Sequence, residues 1–368
     1  MASDSKPVPN TAAWLAGGGA AERHAALTRL LGAPPDAPQV QEARRAIMTE
    51  GPVPRILAEQ QADGHWEGPD RFYTAKYRGT VWSLLILAEL GADGADARMR
   101  AACEAVLRDS QDPNSGGFSC DRSKTSGGGL PSGVIPCLTG NLVFSLVRFG
   151  MLGDSRVQRA LDWITTRQRF DDAEGDAPTG RPYDRHEMCW GRHTCSMGAV
   201  KALKALAEVP PERRTPAVHA TINAGAEYFL RHHVHRRSHD LTRDSKPGWR
   251  RFSFPLMYQT DALEILLVLT RLGREGEVAL GADAPAEAVA AGGAGAAPDG
   301  TGGTPILGDE RMREALDLVA SRADAQGRWK LQQTFNGRFW VDIETKGEPC
   351  RWVTLRALEV LQRTSPVR

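Results

Sequence analysis

The chain has 368 residues, 41% hydrophobic and 25% charged, enough apolar material for a sizeable core. Lys and Arg total 46 against 45 Asp and Glu, so the basic excess of a nucleic-acid-binding domain is missing. No apolar run approaches the ~18 residues of a membrane span, and the opening MASDSKPVPNTAAW lacks the basic and apolar regions of a signal peptide. A cytoplasmic location is expected, with peripheral membrane contact still compatible, and there the six cysteines serve as thiols or metal ligands rather than disulfides.

Residues 1–19 read as a loose tail and 20–368 as one domain. Helical patterns cover 20–31 and 40–61, parted by Gly32-Ala33-Pro34-Pro35. Five apolar stretches then suit helices buried on most sides: 80–90, 138–149, 194–209, 260–272 and 353–361. More amphipathic patterns alternate with them at 98–109, 156–168, 217–232 and 310–323. The apolar stretches recur at roughly 50–65 residues, or about 80 across segment 281–304, as a repeated helix pair requires. That segment, rich in Ala, Gly and Pro, buries too little to offset its ordering entropy and is expected as a flexible surface insertion. The expected fold is all-α: an (α/α)5-6 toroid, with apolar helices inside, amphipathic ones outside and the N-terminal helices supplying a further pair.

Several amphipathic helices end in one phrase. Gln60-Gln61-Ala62-Asp63-Gly64-His65-Trp66 is the clearest copy, the stretch from Gln111 to Gly117-Phe118 a weaker one, and Ala325-Gln326-Gly327-Arg328-Trp329 a third. Gly permits the turn, the aromatic ring packs on the helix end and the Gln amide ties loose backbone groups. These copies resemble the Gln…Gly-x-Trp repeat of squalene and hopene cyclases, from about Gly51 onward. The resemblance implies the α/α toroid shared by terpenoid cyclases and protein prenyltransferases, with the N-termini of the inner helices converging on a central cavity. It implies an enzyme acting on an isoprenoid-like or prenyl-type apolar substrate: a lyase, isomerase or transferase.

Carried onto this sequence, the acid motif of the cyclases falls at Tyr258-Gln259-Thr260-Asp261. Thr260 stands where the proton-donating Asp would be, and Asp261 remains as the acid or base. Gln259 stands where prenyltransferases place a zinc-binding His, and the Gly-Cys-Gly-Glu-Gln thioester of complement-type toroids is missing. Tyr258 and His193, at helix starts, join Asp261 as candidate catalytic residues, and Trp82, Phe144, Met197, Tyr258 and Trp352 are the candidate cavity wall, their ring faces suited to carbocations. Thr139, Thr260 and Thr354 suit helix capping.

Four cysteines flank two consecutive apolar helices: Cys120 and Cys137, then Cys189 and Cys195. Facing helices lie about 8–10 Å apart, so four thiolates would meet around one zinc ion, or an iron–sulfur cluster, with His186 and His193 in reserve. Ordinary buried thiols are the alternative, as is an activated Cys195 beside His193. The basic run from Arg231 to Arg251 contains Arg236, Lys246 and Arg250, suited to gripping a diphosphate, or forming the solvated basic end of a helix. Residues 334–344 alternate like a short hairpin or loop that would cover one mouth of the cavity, with Asp342 and Glu344 as spare carboxylates. Two other functions fit the same residues: a non-catalytic toroid binding a lipid or protein partner around a structural cysteine–metal site, and a zinc-dependent thiol transferase.

Overall fold

The computed structural model describes residues 9–125, 127–172, 176–180, 183–276, 279–280 and 304–365. In chain order the helices are α1 (Pro9–Ala16), α2 (Ala20–Ala25), α3 (Pro38–Ile47), α4 (Pro52–Leu57), α5 (Thr80–Leu90), α6 (Ala97–Asp109), α7 (Pro136–Arg148), α8 (Ser155–Arg167), α9 (Glu187–Trp190), α10 (Ser196–Glu208), α11 (Pro216–Arg231), α12 (Ala262–Arg274), α13 (Arg313–Ala320) and α14 (Arg351–Thr364). A π-helical stretch, Ala26–Leu30, prolongs α2. Among the described residues the strands form two small antiparallel pairs, β1 (Arg236–Arg237) with β2 (Asp240–Asp244) and β3 (Ala279–Leu280) with β4 (Thr304–Pro305). The chain is helix-rich with little sheet, and no helix among the described residues is long and apolar enough to cross a membrane.

Every residue of α5 is buried, as a helix with no polar face must be. α7 packs against both α5 and α10, and α12 against both α10 and α14. Arg356 of α14 in turn donates to Glu89 of α5 at 2.8 Å. The amphipathic helices cover this set from outside: α6 on α5, α8 on α7, α11 on α10, and α13 on α12 and α14.

The loop phrases join outer helix to inner helix by the same bonds. The backbone N–H of Trp66 donates to Thr80 Oγ1 at 3.0 Å, that of Phe118 to Thr139 Oγ1 at 3.0 Å and that of Trp329 to Thr354 Oγ1 at 2.9 Å. The indoles of Trp66 and Trp329 donate to Ile56 O (2.8 Å) and Val319 O (2.7 Å). The Gln60 and Gln111 amides each reach a carbonyl at the start of the next outer helix, Arg98 O (2.9 Å) and Arg156 O (2.8 Å). Thr139 and Thr354, expected as caps, are thus junction residues inside the core, as is Thr80, while Thr260 donates to Asp261 O at 3.3 Å.

Several expectations need correction. The tail expected over 1–19 is helical from Pro9, because Trp14 and Leu15 give it a face to bury. Leu15 is 1% exposed, Thr11 donates to Gln326 O at 2.6 Å, and the guanidinium groups of Arg328 and Arg351 each lie 4.6 Å from the Trp14 ring. α2 continues this contact: Glu22 accepts from the Trp352 indole at 2.9 Å, and Arg29 pairs with Glu359 at 2.6 Å. The single helix expected over 40–61 is broken into α3 and α4, since Gly51 takes φ +72° immediately before Pro52. The basic run is not a helix end: His233 and Val234 take positive φ, stop α11 and lead into β1–β2. Of the two readings of residues 334–344, hairpin or loop, the structure shows the loop, without strand pairing of its own. The insertion expected over 281–304 lies, Thr304 aside, outside the described residues.

Candidate functional site

The starts of α5, α7, α10 and α12 gather aromatic rings and thiols around Tyr73. The Tyr73 ring lies 5.4 Å from Trp82, and Trp82 meets Tyr258 edge-on at 6.0 Å. The ammonium of Lys76 stands 6.0 Å from the Tyr73 centroid and 5.8 Å from that of Tyr258. Lys76 holds a left-handed backbone, φ +55°, which a side-chain-bearing residue adopts only when its surroundings require it. The ring faces and the cation over two of them make an aromatic cage suited to positive charge. Burial pushes the Tyr73 hydroxyl up, and the neighbouring Cys137, Cys120 and Cys189 add to the effect.

Residues 334–344 pack against the segment that leads into α5. Phe335 stacks on Tyr77 at 4.4 Å, and the Trp340 indole donates to Arg78 O at 2.9 Å. The two spare carboxylates have local partners instead. Asp342 accepts from Gly337 N (2.9 Å), and Glu344 from the backbone N–H of Arg351 (2.7 Å) at the start of α14.

The cysteines approach one another without forming the expected metal site. The Cys189 thiol lies beside both Cys137 and Cys195, close enough to shift with each of them. Cys120 turns aside, to Asp121 Oδ2 at 3.6 Å and His186 Nε2 at 3.8 Å. Burial pushes Cys120 up to about 12; the neighbouring Cys137 thiol pushes Cys189 up to about 12; Cys189, with burial, pushes Cys195 up as well. Zinc and iron–sulfur sites need thiolates converging on a point, and among the described residues no group of three or more His, Cys, Asp or Glu is arranged to hold a metal ion. This donor set does not fit the group. Cys350 has a local task, accepting from Val353 N at 3.4 Å as the cap of α14.

Asp261 caps α12. Its Oδ1 accepts from Glu264 N and its Oδ2 from Ser253 N, both at 2.9 Å. It is 1% exposed, and burial pushes its carboxyl up to about 7. His193 is exposed on the rim, its Nδ1 3.7 Å from Asp172 Oδ1. The same oxygen is 3.6 Å from Nε2 of His232, a ring that donates through Nδ1 to Arg236 O at 2.8 Å. His193 therefore does not join the cage.

The remaining candidates scatter. Met197 is half-buried at the start of α10. Trp352 stacks on Phe254 at 4.8 Å, and the Phe144 ring has Lys204 4.2 Å above it; both line a cavity formed mainly by the other ends of the helices, away from Trp82 and Tyr258. Of the basic candidates, Arg236 is paired with Asp244 (2.9 Å) and Glu314 (2.9 Å), Arg250 faces Asp244 at 3.8 Å, and Lys246 is exposed. Two carboxylates, Asp244 and Glu314, outweigh the single charge of Arg236, so no positive field is left there for a diphosphate.

Sequence reasoning missed a buried ionic network. Lys201 of α10 is fully buried and bidentate on Glu264 of α12, at 2.8 and 2.6 Å. Lys204 reaches both Glu264 (3.1 Å) and Glu89, and Glu89 also accepts from Arg356. Burial alone would raise the Glu89 and Glu264 carboxyls; their cationic partners outweigh it and hold them low. The signal was visible: charged residues interrupt the most apolar stretches of the chain. A second chain of contacts, Thr80–His65–Asp109, has the connectivity of a nucleophile relay (3.0 and 2.8 Å). Its hydroxyl is engaged by the Trp66 backbone and its members are at most 1% exposed, so it braces the first junction.

No protein-family model matches the chain, and no curated protein matches it. Among solved structures it is similar to a protein from Actinoplanes, at 13% identity and a TM-score of 0.41, over 94% of this chain and 88% of that one. It is also similar to a variant of the type II terpene cyclase MstE from Scytonema, solved with its substrate geranylgeranyl dihydroxybenzoate, at 15% identity and a TM-score of 0.39, over 94% and 86%. At these values neither similarity carries a residue role or an activity to this chain.

Proposed function

We propose that the chain is an enzyme built as an α/α toroid and acting on an isoprenoid-like apolar substrate, with a cationic intermediate held in the Tyr73–Trp82–Tyr258 cage. One observation supports this above the rest: Lys76 holds its ammonium over the Tyr73 and Tyr258 rings, so the cage already accommodates positive charge. In this reading Lys76 withdraws when substrate enters, and Asp261, whose carboxyl is pushed up to about 7, supplies or accepts the proton. The chemistry would sit beneath residues 334–344, where Phe335 and Trp340 help to exclude water. Binding without turnover is the alternative, favoured by the engagement of both Asp261 oxygens with backbone N–H groups.

The test is incubation of purified protein with squalene, farnesyl diphosphate and geranylgeranyl diphosphate, with extracted products separated by gas chromatography and identified by mass spectrometry. New hydrocarbon or alcohol products are expected, retained in Tyr258→Phe and lost in Tyr258→Leu. Products unaffected by Tyr258→Leu would remove the cage from the mechanism; unchanged turnover in Asp261→Asn would remove the acid.

A further inference from the structure

The far ends of the inner helices enclose a cavity of about 370 Å³ to which α5, α7, α10, α12 and α14 all contribute. Six cationic side chains line it, Arg29, Arg148, Lys204, Arg271, Arg356 and Arg363, against four carboxylates. Each carboxylate is shared between two cations. Glu208 serves Arg148 (3.5 Å) and Arg271 (2.6 Å), and Glu359 serves Arg29 (2.6 Å) and Arg363 (2.9 Å). Glu89 serves Lys204 and Arg356, and Glu264 serves Lys201 and Lys204. A guanidinium carries five N–H donors, so sharing leaves donors beyond those the carboxylates take up.

Basic residues in a last helical turn also complement the helix dipole, which accounts for Arg148, Arg271 and Arg363. It applies equally to Arg29, in the last turn of the π-helical stretch, but not to Lys204 and Arg356, which sit deeper in their helices. Arg29, Arg148, Arg271 and Arg363 keep 22–34% of their side chains exposed, so solvent reaches the rim, while Lys204 and Arg356 form a floor at 10% and 3%.

We infer that this cavity binds a multivalent oxyanion of the phosphate or diphosphate type, at a site separate from the aromatic cage. Arg29, Arg148, Arg271 and Arg363 grip it from the rim and Lys204 and Arg356 from below, with forked guanidinium donors matching phosphate oxygens. Leu90, Leu267 and Val268 complete the wall, leaving room for a short apolar group on the anion. His24, also on the wall, reports the field independently: burial lowers it, and Arg44, Arg148 and Arg29 lower it further.

The test titrates inorganic pyrophosphate into the intact protein at constant ionic strength, following heat and the His24 ring resonances. Saturable binding is expected, with His24 titrating at higher pH once the anion is bound. Arg148→Gln and Arg29→Gln, both partly exposed, should each weaken binding about tenfold, the worth of one charged hydrogen bond. Arg251→Gln, on the surface elsewhere, should change nothing. Hexyl phosphate binding more tightly than inorganic phosphate marks an organic phosphate as the ligand; equal binding marks the free ion. A His24 titration that pyrophosphate leaves unmoved, or equal weakening by Arg251→Gln, overturns the site, and the His24 readout needs no variant to fold. Because the probes carry no isoprenoid, the outcome is independent of turnover at the cage.

Discussion

Lys201 and Glu264 join α10 to α12 inside the helix cluster, ammonium to carboxylate at 2.8 and 2.6 Å, with the two side chains 0% and 2% exposed. Removing one partner of such a pair strands the other charge in a medium that solvates it poorly. Lys201→Met should therefore destabilise the protein by about 3 kcal/mol, at the lower end for a buried pair because Glu264 keeps Lys204 at 3.1 Å. Lys201→Met combined with Glu264→Leu should recover part of the loss. Urea unfolding of the single and double variants measures both effects; an unmoved midpoint for Lys201→Met would show that the pair contributes nothing.

Asp261 gives a pH signature. Its folded carboxyl titrates at about 7, against an ordinary value near 3.8, so between these values the folded state holds more protons than the unfolded one. Stability then falls as pH rises from about 4 to 7 and levels off above, by an amount on the order of a few kcal/mol. His24, His232 and His235, lowered mainly by burial, act in the opposite direction as pH rises towards their ordinary value of 6.5. The comparison that isolates Asp261 is wild type against Asp261→Asn. Relative to wild type the variant should gain stability steadily from pH 4 to 7, over a constant deficit from the lost Ser253 or Glu264 hydrogen bond. A difference flat with pH would mean that the carboxyl is not displaced.

The junction threonines make a sharper structural prediction. Thr354→Val keeps shape and burial but leaves the Trp329 amide, now 2.9 Å from Thr354 Oγ1, without its acceptor. A loss of about 1–3 kcal/mol is expected, with Thr354→Ser close to wild type. Hydrogen exchange at Trp329 should accelerate in the Val variant more than at neighbouring amides.

Thiol reactivity follows from the raised cysteines. With Cys120 and Cys189 pushed up to about 12, thiolate at pH 8 is scarce in the folded protein, and iodoacetamide should label both roughly a thousandfold more slowly than in the unfolded chain. Mass spectrometry of peptides from a time course decides this. Rapid labelling of Cys189 in the native state would show that its neighbour Cys137 does not suppress the thiolate.

How much of this was legible depended on the kind of signal. Apolar patterning located α5 to the residue, because an all-buried helix leaves no polar face to misread. The cysteines were expected near one another and are, but spacing says nothing of where each sulfur points, and Cys120 turns away to Asp121 and His186. Asp261 was picked out through the resemblance to the cyclase acid motif, whereas its position at N-cap gives both oxygens a backbone partner. Lys201, Lys204, Glu89 and Arg356 were passed over because each interrupts an apolar run singly. Their meaning lies in pairs that join helices 60 to 267 residues apart in sequence.

The contacts of Trp14, Glu22 and Arg29 with α14 fasten the first described helices to the last. Residues 9–30 leave the ribosome long before residues 351–364 exist, so although α2 can pack on α3 at once, Glu22 and Arg29 wait for their α14 partners until more than 300 further residues have been made. Cutting the chain just before residue 351 would strand helices at its opposite end rather than merely shorten it.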